Sequence, residues 1–551
     1  MSTTAEYPAS GVRGRLGWSG LAAARRSLRA EHWLLGGIIV LAAVIRVVVL
    51  DNQSLWADEA LTAYETRLSL SAMLHVVRTV EVTPPLYFVL VWGWAKLLGS
   101  GPEVLRALSA IAGIALVPIA YAATRELVSR RAGLVAAALM AVNPFAIWYS
   151  QEARAYMLLA LLTGAAFLAC TRALRAPTRG NLIAWALFSG LALATHFFAG
   201  FAIAPQAILL LWRHRTRATV IAAAVVAAAQ LAMLPLAVSD TSASHGTGWI
   251  AKVPITHRIA TTAVEWVAGN LYRRTTLADG LALGAALVLI CGLLLWFGRG
   301  GDAEGGGDGE RGGGVMVALV VAGCVLIGPL ILAGLGQDFF LSRNAIPALV
   351  PAVTVVAAAC TMPRLARVGA LLAVLLFAGF ATATAEIQTH PFLQRPDWRL
   401  VARSLGPAAY PRAVLAADGT TAQSLKIYLP GVAWAQPVTR RVLIAEIDVV
   451  GATKRIALAG EHALTGRGTI GVIRLPGSPV RDHRRGATVP RSIAPAGTRL
   501  LFRGRVANWV VARYLLDRPR WVSIASLARS APRFFRHTPA ALLVFTQPRG
   551  R

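Results

Sequence analysis

The sequence predicts a polytopic α-helical membrane protein of about 11–12 transmembrane helices, followed by a soluble mixed α/β domain. Three observations predict it. Hydrophobic residues make up 56% of the 551 and the mean hydropathy is +0.58, above what a soluble chain of this length shows. The apolar residues gather into runs long enough to cross a bilayer. Those runs stop near Glu386, and residues 387–551 then carry 26 Lys and Arg against 7 Asp and Glu.

The net charge is +29. On a soluble protein that excess would point to nucleic acid. Here part of it lies between apolar runs, where it sets topology, so no nucleic-acid partner is expected. The basic C-terminal portion fits attraction to an anionic membrane surface or to phosphate groups. It fits equally an arginine-rich, lysine-poor coding bias. Cys170, Cys291, Cys324 and Cys360 all fall in apolar runs, so no disulfide framework is implied.

Residues 1–32 hold Arg13, Arg15, Arg25, Arg26 and Arg29 and read as a basic cytoplasmic tail without a separate cleavable signal peptide. The first span covers about 33–50, and the transmembrane portion runs over 33–386. Residues 67–80 have the mixed helical pattern of an interfacial helix. Thr83-Pro84-Pro85 opens a helix to Leu98, short for a span. Clear spans then follow over 104–124, 132–148, 155–174, 182–197, 199–212, 218–238, 279–298, 315–335, 344–361 and 368–386. Counting inward and outward crossings puts every basic loop inside, provided that 84–98 does not cross. That gives about eleven spans, a polar outer loop over 239–277 and a Gly/Asp/Glu-rich linker over 299–314. In the outer domain, 387–551, Ala413–Ala417 reads as a strand, Thr421–Leu429 as a helix and Ala541–Phe545 as a late strand.

The same count gathers four polar clusters on the outer face: Asp58-Glu59, Tyr149-Ser150-Gln151-Glu152-Ala153-Arg154, Thr195-His196, and Asp338 with Ser342-Arg343-Asn344. Paired carboxylates just beyond a span are costly unless they face water or do chemistry. A carboxylate can take a proton from an acceptor hydroxyl, and cations can hold a phosphate leaving group. Neighbouring helical positions point about 100° apart, so one of Asp58 and Glu59 faces the reaction and the other supports it. Blander readings are a surface loop at Asp58-Glu59, an anchoring Glu152–Arg154 pair, a satisfied interfacial His196 and a topology charge at Arg343.

Leu55-Trp56-Ala57-Asp58-Glu59-Ala60, then Pro84-Pro85-Leu86-Tyr87, then Asn143-Pro144 through Arg154-Ala155-Tyr156 resemble the bacterial members of glycosyltransferase family 39. These are GT-C membrane enzymes related to the protein O-mannosyltransferases and the lipid A aminoarabinose transferase. Thr195-His196-Phe197-Phe198, Arg343-Asn344-Ala345-Ile346-Pro347 and Pro396-Asp397-Trp398-Arg399 add to the resemblance. Ala57 and Asn344 depart from it, each where the family has an aromatic residue. The resemblance implies inverting transfer of a hexosyl or pentosyl group from a polyprenyl-phosphate sugar at the outer face of the plasma (inner) membrane. The acceptor would be a cell-envelope glycan, lipid or protein. Carried over, Asp58 is the base, and Glu59 and Glu152 support it or bind a divalent ion. Arg154, His196 and Arg343 are candidates for the lipid phosphate, with Tyr149 and Gln151 beside them. Rival classes are a transporter or lipid flippase, which would need mid-bilayer charges and a repeated half, and a non-catalytic scaffold binding the envelope.

Overall fold

The computed structural model describes residues 18–242, 250, 253–274, 276–297, 307–406, 412–416, 419–429, 432–434, 441–452, 498–506, 509–523, 527 and 541–545. Helix α1 (Trp18–Val47) begins inside the expected basic tail, whose first 17 residues lie outside the described set. Three short helices follow: α2 (Ala57–Glu65), α3 (Leu70–Val76) and α4 (Leu86–Leu98). Between α3 and α4 the chain widens into a π-helical turn, Val77–Glu81, and leaves it through Val82 at φ 46°. A β-branched residue in the left-handed region is strained, and such strain persists only where the surroundings hold it.

The bundle continues with α5 (Pro102–Leu127), α6 (Arg130–Val142), α7 (Pro144–Ser150) and α8 (Tyr156–Arg175). Next come α9 (Arg179–Leu193), α10 (Ala199–Arg213), α11 (Arg217–Ser242) and α12 (Ile255–Ala268). The last long helices are α13 (Leu277–Phe297), α14 (Gly307–Gly334), α15 (Leu349–Cys360) and α16 (Ala366–Thr389). Eight described helices are long and apolar enough to cross a membrane, and α6 with α7, bent by 57°, makes a ninth. The spans expected over 182–197 and 199–212 are α9 and α10, of 15 residues each, so each reaches roughly 22 Å at 1.5 Å per residue. Helix α4 has 13 residues, too few for a bilayer core of about 30 Å.

Two expected loops prove partly helical. The polar segment 239–277 holds α12, buried along Arg258, Ala260, Thr262 and Val264. The expected linker lends its last residues to α14 from Gly307, and 298–306 lie outside the described set.

Local chemistry explains the bend between α6 and α7. Pro144 has no N–H to continue the ladder, and Asn143 caps the new helix by accepting from the Ala146 N–H at 2.8 Å. Arg46 of α1 covers the carbonyls this exposes, donating to Ala141 O at 2.8 Å and Met140 O at 3.0 Å, and to Ser150 Oγ at 3.1 Å. Inside a bilayer freed carbonyls need such partners. Small residues let the helices close up: a Cβ on Gly113 of α5 would lie 2.1 Å from Ser150 Oγ. The central core joins α5, α6, α8, α14 and α15 through Ala112, Leu116, Ala137, Phe167, Val321 and Val350.

Beyond one end of the bundle lies the C-terminal α/β region. It contains α17 (Trp398–Leu405), β1 (Arg412–Ala416), α18 (Gly419–Tyr428), β2 (Val432–Trp434) and β3 (Arg441–Ala452). Strands β4 (Thr498–Val506), β5 (Trp509–Ser523) and β6 (Ala541–Phe545) complete it. The sheet order is β2-β6-β1-β3-β5-β4, with β1 and β3 parallel and the other neighbours antiparallel. Trp398, Val401, Leu405, Leu425 and Val511 form its core. Two of the basic residues are structural here: Arg412 and Arg513 both pair with the buried Asp448, at 3.0 and 2.7 Å.

Candidate active site

The segment 50–56 leaves α1 and turns into α2, carrying Asp58 and Glu59 with it. Glu59 is fully buried. Its carboxylate accepts from Arg106 Nε at 2.7 Å and Nη2 at 2.6 Å, from the Ala153 N–H at 2.9 Å and from the Trp56 N–H at 3.2 Å. Burial pushes this carboxyl up, but the charge and hydrogen bonds of Arg106 outweigh it and hold Glu59 below the ordinary range. Arg106 spends its remaining donors on Leu50 O, Gln53 O and Ser54 O, at 2.7, 2.7 and 3.0 Å. The whole 50–59 segment is thus folded around one guanidinium.

Asp58 sits next door and differs. Its side chain is 32% exposed, and its nearest cation is Arg343 at 3.7 Å. Among the described residues its carboxylate accepts no hydrogen bond. Arg343 stands at the start of the segment leading into α15, 5.8 Å above the Tyr156 ring.

The other expected site residues divide into a front and a back. The anchoring Glu152–Arg154 pair does not form. Glu152 instead accepts from Arg395 Nη2 at 2.7 Å, and Arg395 lies 4.0 Å over the Trp148 ring. Arg154 is forked onto Glu81 at 2.7 and 2.6 Å, with Asp58 O and Thr62 Oγ1 within 3.5 Å. The reason is local: residues 151–155 form a tight turn, with the Arg154 N–H on Glu152 O at 2.8 Å, which sends the two side chains apart. Burial, reinforced by Glu59, raises the Glu152 carboxyl against the pull of Arg395. Gln151 caps the end of α1, donating to Ile45 O at 3.1 Å. Asp338 pairs with Arg258 at 2.7 and 2.5 Å.

On the front side, Tyr149 and Arg343 line a pocket of about 340 Å³ together with His257, Arg258, Glu265 and Ser342. His196 is in the turn between α9 and α10. Its Nδ1 accepts the Phe198 N–H at 3.2 Å, which leaves Nε2 to carry the proton of the neutral ring. Burial, helped by Arg343 and Arg154, pushes His196 down to about 4. It therefore offers a neutral N–H where the sequence suggested a cation. A ladder of rings leads away from Arg343: Tyr156 to His196 at 5.9 Å, His196 to Phe198 at 5.6 Å and Phe198 to Phe201 at 5.6 Å. Phe201 lines an apolar groove of about 1020 Å³ between α10, α11 and α14.

A divalent ion finds little to bind. Both oxygens of Glu59 are occupied by N–H donors, Glu152 shares one of its two with Arg395, and no group of three metal-ligating side chains converges among the described residues. Reading the sequence did not single out Arg106, Glu81 or Arg395. Arg106 could have been found as an ionisable residue inside an apolar span. Arg395 directly precedes the Pro396-Asp397-Trp398-Arg399 motif.

A sequence profile described as dolichyl-phosphate-mannose-protein mannosyltransferase matches residues 82–239. ArnT from Cupriavidus metallidurans bound to undecaprenyl phosphate superposes with a TM-score of 0.50 at 14% identity, over 88% of this chain and 98% of that one. The chain has the GT-C fold. The Archaeoglobus fulgidus oligosaccharyltransferase gives a TM-score of 0.43 at 13% identity, over 68% of this chain and 57% of that one. The S. cerevisiae Pmt1-Pmt2 complex gives 0.31 at 19%, over 37% and 32%. No curated protein sequence matches this chain.

Proposed function

We propose that this protein transfers a hexosyl or pentosyl group, with inversion, from a polyprenyl-phosphate sugar to a hydroxyl of a cell-envelope glycan, lipid or protein at the outer face of the plasma membrane. One observation carries the reading. Glu59, Glu152 and Glu81 are each paired with an arginine, Arg106, Arg395 and Arg154, while Asp58 alone of these four is partly exposed and faces Arg343 at 3.7 Å.

The chemistry follows from that contrast. A sugar hydroxyl is a poor nucleophile unless its proton leaves as the new bond forms. Asp58 takes that proton. The donor phosphate replaces Asp58 as the partner of Arg343, which swings towards the pocket beside Tyr149. Its departure frees the carboxylate, so donor binding switches on the base. The Nε2–H of His196 adds a neutral donor to the phosphate, and Arg343 offsets the charge that grows on the leaving oxygen. The apolar groove reached through Phe198 and Phe201 suits the prenyl chain. The bound lipid of the ArnT structure, undecaprenyl phosphate, is of this chemical class. Residues 1–32 form the cytoplasmic tail, 33–386 the transmembrane catalytic domain and 387–551 an extracytoplasmic domain that helps to hold the acceptor or the lipid surface.

The test is transfer from a radiolabelled polyprenyl-phosphate sugar by purified protein. Asp58→Asn is expected to lower turnover about 10²–10⁴-fold. Near-normal turnover by that variant would remove Asp58 as the base.

A further inference from the structure

Helix α12 and the segment leading into α15 enclose the polar pocket beside Tyr149. Two ties fix its walls. Arg258 of α12 forks onto Asp338 at 2.7 and 2.5 Å and donates to Phe340 O at 2.8 Å. Two turns further along α12, the Glu265 carboxylate accepts from Ser342 Oγ. Helix positions seven apart lie on one face, so a single face of α12 grips the chain just ahead of Arg343. The pocket therefore has its shape before a ligand enters it.

We propose that this pocket seats the sugar of the donor and that Glu265 is its specificity-determining residue: the carboxylate accepts hydrogen bonds from the hydroxyls of an uncharged hexose or pentose and turns away a sugar that itself carries a carboxylate.

The proposal rests on the transfer reading, and place, size and charge support it. Arg343 lines the pocket and also stands 3.7 Å from Asp58. A sugar bonded to a phosphate on Arg343 has its ring beside that cation, within reach of the pocket. At about 340 Å³ the pocket is at the small end of ligand sites, which run from about 300 to 1,000 Å³, and suits one sugar ring better than a chain of them. Thr261, Ser342 and Glu265 give its wall two hydroxyls and a carboxylate, groups that match a ring bearing hydroxyls.

The charges decide which ring. Arg258 is matched by Asp338, and its Nε is spent on Val253 O at 2.9 Å. Arg343 is engaged by the phosphate. His257 is exposed to water, where its charge is screened. The half-buried Glu265 thus sets the sign that the sugar meets. A carboxylate has about four acceptor sites, so Glu265 can serve sugar hydroxyls while it holds Ser342. Hydrogen bonds to an ionised acceptor are roughly twice as strong as neutral ones, and a like charge placed opposite it is rejected.

Equilibrium binding to the purified full-length protein tests this without requiring turnover. The probes are undecaprenyl phosphate alone and the same lipid carrying glucose, mannose, arabinose or glucuronic acid. At least one neutral glycolipid should bind about tenfold more tightly than the bare lipid, and the glucuronosyl lipid no more tightly than the bare lipid. Glu265→Gln keeps an acceptor for Ser342 Oγ. It should cut the advantage of the neutral sugar about tenfold, the difference between a charged and a neutral hydrogen bond, and bring the glucuronosyl lipid level with it. Thr261→Trp, which fills the pocket, should abolish the advantage and leave the affinity for bare lipid unchanged. Equal affinity of the wild type for every lipid overturns the proposal. So does a Gln variant that keeps both the advantage and the discrimination. In the transfer assay, a Gln variant altered only in KM for the acceptor would give the pocket to the acceptor and overturn it as well. A wild type that binds the neutral glycolipid through Glu265 and transfers nothing would refute the function and leave the sugar site standing, whereas failure to bind even the bare lipid would remove both.

Discussion

Replacing Arg106 with Met asks what holds the candidate site in shape. The side chain is 1% exposed and its Glu59 partner 0%. Removing one member of a buried ion pair costs about 3–5 kcal/mol, because the other is left charged and uncompensated. Arg106→Met also strips the carbonyls of Leu50, Gln53 and Ser54 of their donor, at about 1–3 kcal/mol for each that stays buried and unpaired. Glu59→Gln leaves those three bonds standing, so it should be the milder change. The two should couple by about 0.5–3 kcal/mol, with the double variant more stable than the sum of the singles implies. Thermal unfolding followed with a thiol-reactive dye would read this directly. Cys170, Cys291 and Cys360 are buried and label on unfolding, while the exposed Cys324 sets the baseline. The reasoning fails if Glu59→Gln melts like the wild type and abolishes transfer, for Glu59 would then belong to the chemistry and not to the frame.

Other perturbations separate the remaining groups. Arg343→Ala should raise KM for the donor more than it lowers kcat, measured as initial rates against donor concentration. His196 is pushed down to about 4 from 6.5, so the unfolded chain binds a proton between those values that the folded chain refuses. Its share of stability is therefore present above pH 6.5 and lost as pH falls through about 4, and His196→Gln should flatten melting temperature against pH in that window. Gly113→Ala pushes a methyl group against Ser150 Oγ and should cost about 1–3 kcal/mol by overpacking, read by the same dye. Tyr428→Phe leaves the Leu55 N–H without its acceptor, now at 2.7 Å, and should lower both melting temperature and kcat.

Helix positions were legible in the sequence because a bilayer imposes length and apolarity. The eleven expected spans correspond to the eight long helices, the bent α6–α7 pair and the shorter α9 and α10. The strand at Ala413, the helix at Thr421 and the strand at Ala541 also appear. Helix α12 was hidden because His257, Arg258 and Glu265 give its stretch the polar character of a loop. At the site, residue types were legible and partners were not. Glu152 and Arg154 are two positions apart, yet they bind Arg395 and Glu81. Sequence proximity favours pairing only where the backbone presents both side chains to one side, and the 151–155 turn does not. Glu59 and Asp58 could be separated in principle by the helical 100° step. Which of them faces inward was decided by Arg106, 47 residues away.

The seams between residues 50–55 and 394–428 bear on how the protein is made. Gln53 Oε1 accepts the Arg395 N–H at 3.1 Å, and Ser54 Oγ donates to Asp397 and accepts from the Arg399 N–H, at 2.9 and 3.0 Å. The Leu55 N–H reaches Tyr428 Oη. The segment that presents Asp58 leaves the ribosome before its anchors, which are more than 340 positions later. Until those arrive, inserted helices carry the carboxylate on an unfinished loop. Chains cut before Arg395 should accordingly insert into membranes and show no turnover, which would confine the proposed sugar transfer to molecules whose synthesis has gone beyond α16 and into the C-terminal α/β region.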